Sequence, residues 1–316
     1  MIRCSEPQHD QPAAASESAG QALPGGAQDT PGDGFTIQPF RADEWSLART
    51  MLLAGYPNTP ATLWDDGFKR LAAVPPLPDS PPLGVLLCLN TQPVGVALMF
   101  PSQRQGGTHP VPRVNASSWA ITPKARGRAL WMARHSMNHP GTVYTALTPI
   151  SSAARMLQRI GFRAISHQSI VGFTPRLRRL AAKGKRVLSG VDALAALRDH
   201  PLAQALEDHH RLDCLVTALD TGSALHPMVW RATRRLRLFR SADLLYAPTQ
   251  ALVAQHAGVL AQQLWRLGFP MMVFEAQEDL VPEFACTRLF QRRFARGPYN
   301  ELGVDHLYSE LVYLHR

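Results

Sequence analysis

The pattern of apolar and polar positions predicts a chain in which strands and helices alternate. Phe35-Thr36-Ile37 alternates as a strand does, and Ala42-Asp43-Glu44-Trp45 opens a helical region with acids in its first turn. The Pro-rich stretch from Pro75 to Pro82 ends it. Two apolar runs, Gly84–Asn90 and Pro93–Phe100, are joined by a short Asn-Thr-Gln turn and predict a hairpin. A third strand, Val114–Ile121, leads through Lys124-Ala125-Arg126-Gly127-Arg128 into a helix over Ala129–Arg134. A fourth, Val143–Leu147, precedes Thr148-Pro149-Ile150-Ser151-Ser152, an N-cap region, and a helix from Ala153 to Ile160 that Gly161 stops.

The second half continues in the same manner. Val191–Arg198 and Leu202–His210 read as helices, Asp243–Ala247 as a strand, and Pro248-Thr249 opens a long helix through Trp265 that Gly268 stops. Pro270–Ala276 and Leu307–Leu314 read as further strands. Strand, Pro149, helix, Ile160-Gly161-Phe162 in the first half is echoed by strand, Pro248, helix, Leu267-Gly268-Phe269 in the second. The echo is either a duplicated unit or a chance recurrence of a common series. The class is α+β (mixed α/β).

Composition sharpens this outline. The 316 residues, 45% hydrophobic, are globular in character and suit two domains. Residues 1–34 are mostly small or polar and predict a disordered tail, since little there repays ordering entropy. The net charge of +9 arises from 29 Arg and 4 Lys against 24 acids. Cys4, Cys88, Cys214 and Cys286 are too scattered for a paired-cysteine zinc motif or a disulfide framework. No apolar stretch suits a signal peptide or a spanning helix, so a cytoplasmic location is expected and no membrane span.

The stretch from Ser117 to Leu130 carries the clearest chemistry. A strand feeding a basic, Gly-containing turn at a helix N-terminus is a ready anion site, because first-turn N–H groups lack intrahelical partners. The plain alternative is an ordinary corner with solvated arginines.

With those residues in view, the span from Phe35 to Phe173 resembles the GNAT superfamily of acyl-CoA N-acyltransferases. The Pro-Lys-Ala-Arg-Gly-Arg turn is similar to its cofactor-binding motif, and Ala153–Phe162 to the helix ending in Gly-Phe after its fifth strand. The resemblance implies acetyl-CoA or another acyl-CoA lying between splayed strands Val114–Ile121 and Val143–Leu147. It places the cofactor on Trp119, Ala120, Ile121, Arg126, Gly127, Arg128, Ala129 and Leu130, with Ser151 and Ser152 opposite. The sequence departs from the motif at Ala129 and Trp131, and Leu157 stands where many members carry a general-acid Tyr. The second half looks like another such unit without the phosphate turn, and would supply a wall of the acceptor cleft.

The expected organisation is therefore a tail over 1–34, a GNAT-like domain over 35–175, a basic linker and helix over 176–204, and a second, degenerate GNAT-like domain over 205–316. Each unit would hold a mixed, mostly antiparallel sheet flanked by helices. The acceptor would be a small molecule or peptide; the oligomeric state is not legible.

Weaker candidates remain. Asp305, His306, Tyr308 and Glu310 lie near the predicted last strand, where an acid or His could take a proton from an incoming amine or hydroxyl. By period two, Asp305 and His306 point to opposite sides. His209, His210, Asp213 and Cys214 lack a recognised ligand spacing, so no metal is expected. Arg231, Arg234, Arg235, Arg237 and Arg240 read as a solvated face, and nucleic acid is not an expected partner because no binding motif accompanies them. Two rivals stand beside acyl transfer: a catalytically silent binding or scaffold protein of the same fold, and a polyanion binder driven by charge.

Overall fold

The computed structural model describes residues 33–40, 42–74, 81–106, 109–165, 168–181, 184–235, 239–276, 287–289, 293–300 and 303–314. Nearly all of the anticipated tail, together with Cys4, Cys286 and Arg237, lies outside them.

The first half runs β1 (Phe35–Phe40), α1 (Trp45–Gly55), α2 (Ala61–Ala72), β2 (Gly84–Leu89), β3 (Gln92–Gly106), β4 (His109–Ile121), α3 (Ala129–Ser136), β5 (Val143–Ala146), α4 (Ser151–Arg159), β6 (Arg163–Ile165) and β7 (Gln168–Phe173). After α5 (Thr174–Leu177) come β8 (Arg186–Ser189), α6 (Val191–Ala196), α7 (Ala203–Arg211), β9 (Leu215–Asp220), β10 (Leu225–Arg235) and β11 (Phe239–Ala247). The chain continues with α8 (Gln250–Gln255), α9 (Ala257–Arg266), β12 (Met271–Ala276), β13 (Thr287–Leu289), β14 (Arg293–Arg296), β15 (Val304–Asp305) and α10 (Glu310–Tyr313).

Two mixed sheets with the same plan result. One has the order β1-β2-β3-β4-β5-β14-β6, the other β13-β7-β12-β11-β10-β9-β8. With the second order reversed, so that β8 corresponds to β1, they match position by position: β4 and β5 are parallel neighbours, as are β11 and β12. The match holds because the halves exchange a strand. β7 crosses to pair with β12, while β14 returns to sit between β5 and β6. The sheet over 35–175 is thus completed by residues from beyond 205, and the segment read as linker and helix contains β8, the edge of the second sheet.

Local sequence explains the repeated parts. Asn90 and Thr91 take φ of 48° and 70°, the left-handed pair that a two-residue hairpin turn needs. Gly161 and Gly268 take φ of 89° and 81° and end α4 and α9 alike: Phe162 N–H donates to Leu157 C=O and Phe269 N–H to Leu264 C=O. Both phenylalanines are buried, so the echo in the sequence is two copies of one structural device. Each central strand is also bulged at an equivalent place. Leu98 of β3 faces Ser117 and Ser118 of β4, and β11 carries Leu245 as its extra residue against β10.

Among the described residues three hydrophobic clusters form, and the largest joins the units: Leu52, Trp64, Leu98 and Ala120 pack with Leu206, Val216, Leu245 and Tyr313. Cys88 and Cys214 are buried free thiols. Among the described residues, no helix is long and apolar enough to cross a membrane.

Three local expectations need correcting. The segment from Leu307 to Leu314 is not a strand: Tyr308 takes a left-handed φ of 52° and Ser309 caps α10 by accepting from Leu311 N–H. The long helix to Trp265 breaks at His256 into α8 and α9. Arg231 and Arg235 are not a solvated face, because both lie against Asp243 and Arg231 also donates to Leu311 C=O.

Candidate functional site

β4 and β5 pair only over Arg113–Val143, Val114–Tyr144 and Asn115–Thr145. Beyond this point β4 bulges and runs on to Ile121 while β5 ends at Ala146, so a gap opens between the strands. Asn115 closes its narrow end: Nδ2 donates to the Thr145 C=O and hydroxyl, both at 3.3 Å. Its Oδ1 accepts from Glu310 N–H at 2.8 Å, which docks the first residue of α10 at the apex.

The Glu310 side chain bridges the gap. Ser117 Oγ on β4 donates to Oε2 at 2.6 Å, and Thr148 Oγ1 just past β5 donates to Oε1 at 2.7 Å. A buried carboxylate is stable only with such partners. Burial nevertheless raises the Glu310 pKa, the two hydroxyls opposing it. Farther along, Tyr56 at the end of α1 reaches the backbone of Trp119. Its hydroxyl accepts from Trp119 N–H at 3.1 Å and donates to Trp119 C=O at 2.8 Å, satisfying a strand edge that lacks a neighbouring strand.

The second unit handles its corresponding gap differently. β15 pairs with the end of β11 there, Tyr246 against Asp305 and Ala247 against Val304, and His306 N–H donates to Leu245 C=O. One C-terminal segment therefore lies in both gaps, as backbone in the second and as a carboxylate in the first.

The residues anticipated for catalysis are placed as follows. Asp305 is held by Arg104 and Arg113; burial works against its charge, but the two guanidiniums keep its carboxyl well below the usual carboxylate range. His306 is buried between Glu275 on β12 of the second sheet and Arg293 on β14 of the first. Tyr308 donates from its hydroxyl to Asp208 Oδ2 at 2.5 Å, and its N–H donates to His209 Nε2 at 3.1 Å. Asp305 and His306 engage different partners, and His306 lies beyond the end of β15. Of the described acids near the C-terminus, Glu310 is the one that spans β4 and β5; the Ser and Thr hydroxyls that hold it carry no local sequence signal, and Thr148 reads locally as part of a helix cap.

Most of the residues anticipated for the cofactor follow one another from the end of β4 into the start of α3. Ala120 is buried and Trp119 and Ile121 are half-buried, all on β4. A tight 3-10 turn over Pro123–Arg128 follows, and Ala129 and Leu130 begin α3. Arg126 and Gly127 are exposed, with open space around Gly127 where a side chain would be. Arg128 pairs with Asp33 and stacks over Phe35 at 5.2 Å. Ser151 and Ser152 begin α4 and are exposed, and its N-cap is Ile150. Leu157 is buried in the core with Tyr144 and Phe162. His209 is a core histidine whose Nδ1 lies 2.6 Å from Ala205 C=O.

With this geometry established, comparison with solved structures identifies the fold. A protein of Pyrococcus horikoshii described as an acetyltransferase aligns over 93% of this chain and 100% of its own, with TM-score 0.55 and 12% identity. GCN5-related N-acetyltransferases from Kribbella flavida and Anabaena variabilis align over 83% of this chain and 70% and 72% of theirs, with TM-scores of 0.54 and 0.55 and identities of 12% and 11%. The chain has the GCN5-related N-acetyltransferase fold, in two tandem units of divergent sequence. No protein-family model matches it, and neither does any curated protein.

Proposed function

We propose that this protein transfers an acetyl or other acyl group from acyl-CoA to an amine or hydroxyl of a small-molecule or peptide acceptor. The observation that carries the reading is the gap between β4 and β5 with the Glu310 carboxylate fixed across it by Ser117 and Thr148. Acyl-CoA would lie along Trp119, Ala120 and Ile121. Its diphosphate would meet the turn and helix start over Arg126, Gly127, Arg128, Ala129 and Leu130, with Ser151 and Ser152 across the gap. Open space at Gly127 suits a close approach to phosphate. Binding there requires Arg128 to be shared with or released from Asp33, and the Trp119 amide groups to be released by Tyr56.

The chemistry is a direct attack. The acceptor nitrogen or oxygen forms a bond to the thioester carbonyl carbon, the C–S bond breaks, and CoA leaves as thiolate while the acceptor's proton passes to Glu310. Burial raises the proton affinity of Glu310, which makes it a stronger base than an exposed carboxylate. Leu157 carries no proton to donate, so the thiolate is protonated from solvent.

Isothermal titration with acetyl-CoA, CoA and longer acyl-CoAs tests the cofactor, and free-thiol release with amine and hydroxyl acceptors tests turnover. Absence of binding by all of them defeats the proposal. Binding without thiol release across a broad panel leaves a binding protein of this fold.

A further inference from the structure

A cavity of about 470 Å³ opens where the two units and the C-terminal segment meet. Arg113 and Val143, which start the paired part of β4 and β5, form one side; His200 and Tyr246 of the second unit form another, and Asp305 lies between. Arg113, Asn115 and Ser117 alternate along β4 up to the bulge and so share one face. The cavity therefore lies on the side of β4 that holds Glu310, and Arg113 is about 7 Å from Asn115 along the strand.

The charged side chains lining this cavity are the guanidiniums of Arg104 and Arg113 and the Asp305 carboxylate. Among the described residues Asp305 is its single carboxylate, and both its oxygens are taken: Arg104 donates from Nε at 2.8 Å and from Nη2 at 3.1 Å, and Arg113 donates to Oδ2. Two guanidiniums against one carboxylate leave a net positive charge. Arg113 uses one N–H on that oxygen and one on the Asp305 C=O, which leaves three without a partner among the described residues. His200 Nδ1 accepts from Leu202 N–H at 3.1 Å, so the proton of the neutral ring sits on Nε2. Burial and the neighbouring His226 lower the His200 pKa, favouring that neutral form. Tyr246 keeps its hydroxyl proton, burial pushing its pKa up to about 12. Among the described residues an ammonium entering here finds no free carboxylate, whereas an anion finds charge-assisted donors.

We infer that this cavity is the acceptor subsite for a small amine bearing a carboxylate or phosphate at its far end, the anion meeting Arg113 and the amine directed toward Glu310. The direction of the amine rests on the acyl-transfer reading; the anion site does not.

The experiment has two arms. In the first, hexanoate, hexyl phosphate and hexylamine are titrated calorimetrically into the full chain without acyl-CoA. At least one anion is expected to bind about tenfold more tightly than hexylamine, with that preference lost in Arg113→Gln and weakened in Tyr246→Phe, a milder variant that keeps the Asp305 cluster whole. The better anion tells carboxylate from phosphate. In the second, thiol release from acetyl-CoA is followed with 6-aminohexanoate, 6-aminohexyl phosphate and hexylamine, and kcat/KM is expected to favour an anionic amine by about tenfold. Hexylamine binding as well as both anions overturns the inference whatever the second arm gives. Equal turnover of all three amines overturns it while leaving acyl transfer standing. Anion binding through Arg113 with no thiol release in any case keeps the anion site and removes the transferase reading.

Discussion

The Tyr56 hydroxyl stands between the N–H and the C=O of Trp119, accepting from one at 3.1 Å and donating to the other at 2.8 Å. It occupies backbone groups that the proposed function assigns to acyl-CoA, so the two compete. Tyr56→Phe is expected to cost about 1–2 kcal/mol of folding stability in urea titrations. It is also expected to tighten acetyl-CoA binding severalfold by calorimetry; weaker binding would show that the hydroxyl helps the cofactor.

Glu310 gives opposite predictions for activity and stability. Glu310→Gln is expected to lower kcat by about 10²–10⁴-fold, as loss of a general base does, and to remove the rise of rate with pH above the ordinary carboxylate range. Its pKa is raised in the fold, so it favours folding while protonated; that contribution is present below the unfolded pKa and lost as pH rises through the folded one. The Gln variant should therefore melt at a higher temperature than the parent at pH 8. A variant both active and less stable there would remove Glu310 from the mechanism.

His209 sets a second pH dependence of the other sign. Burial lowers its pKa to about 4, so its contribution to stability is full above the unfolded value near 6.5 and declines as pH falls toward 4. At pH 5 the loss is on the order of 2 kcal/mol. Chemical denaturation of the parent and His209→Gln between pH 7.5 and 5 checks this: the slope should be shallower in the variant.

Gly55 is demanded by packing. A Cβ there would lie 2.3 Å from the Ala120 Cβ, so the end of α1 sits directly on β4. Gly55→Ala is expected to cost about 1–3 kcal/mol. Adding Ala120→Gly should restore part of the loss, and an additive double variant would show that the two do not touch.

What the sequence discloses here is what repeats locally. Asn90 and Thr91, the turn before α3, and the Gly-Phe ends of α4 and α9 each declare themselves within a few residues. The polar frame of the gap does not, because Ser117 and Glu310 are 193 positions apart and Thr148 and Glu310 are 162. No local pattern distinguishes a hydroxyl that holds a distant carboxylate from one that caps a helix. β10 was hidden by its arginines: Arg231 and Arg235 resemble a charged surface until Asp243 of β11 is set opposite them. The exchange of β7 and β14 is equally silent, since a strand does not record which sheet receives it.

That exchange also governs how the chain emerges during synthesis. β14 starts at Arg293, so the space it fills between β5 and β6 stays open until well over a hundred residues beyond β6 have been made. Until then the first half exposes unpaired N–H and C=O groups along Tyr144–Ala146, a template for joining another chain. A ribosome stalled in the second half would release an aggregation-prone fragment rather than a finished first domain, and neither half should be separable as an independent protein.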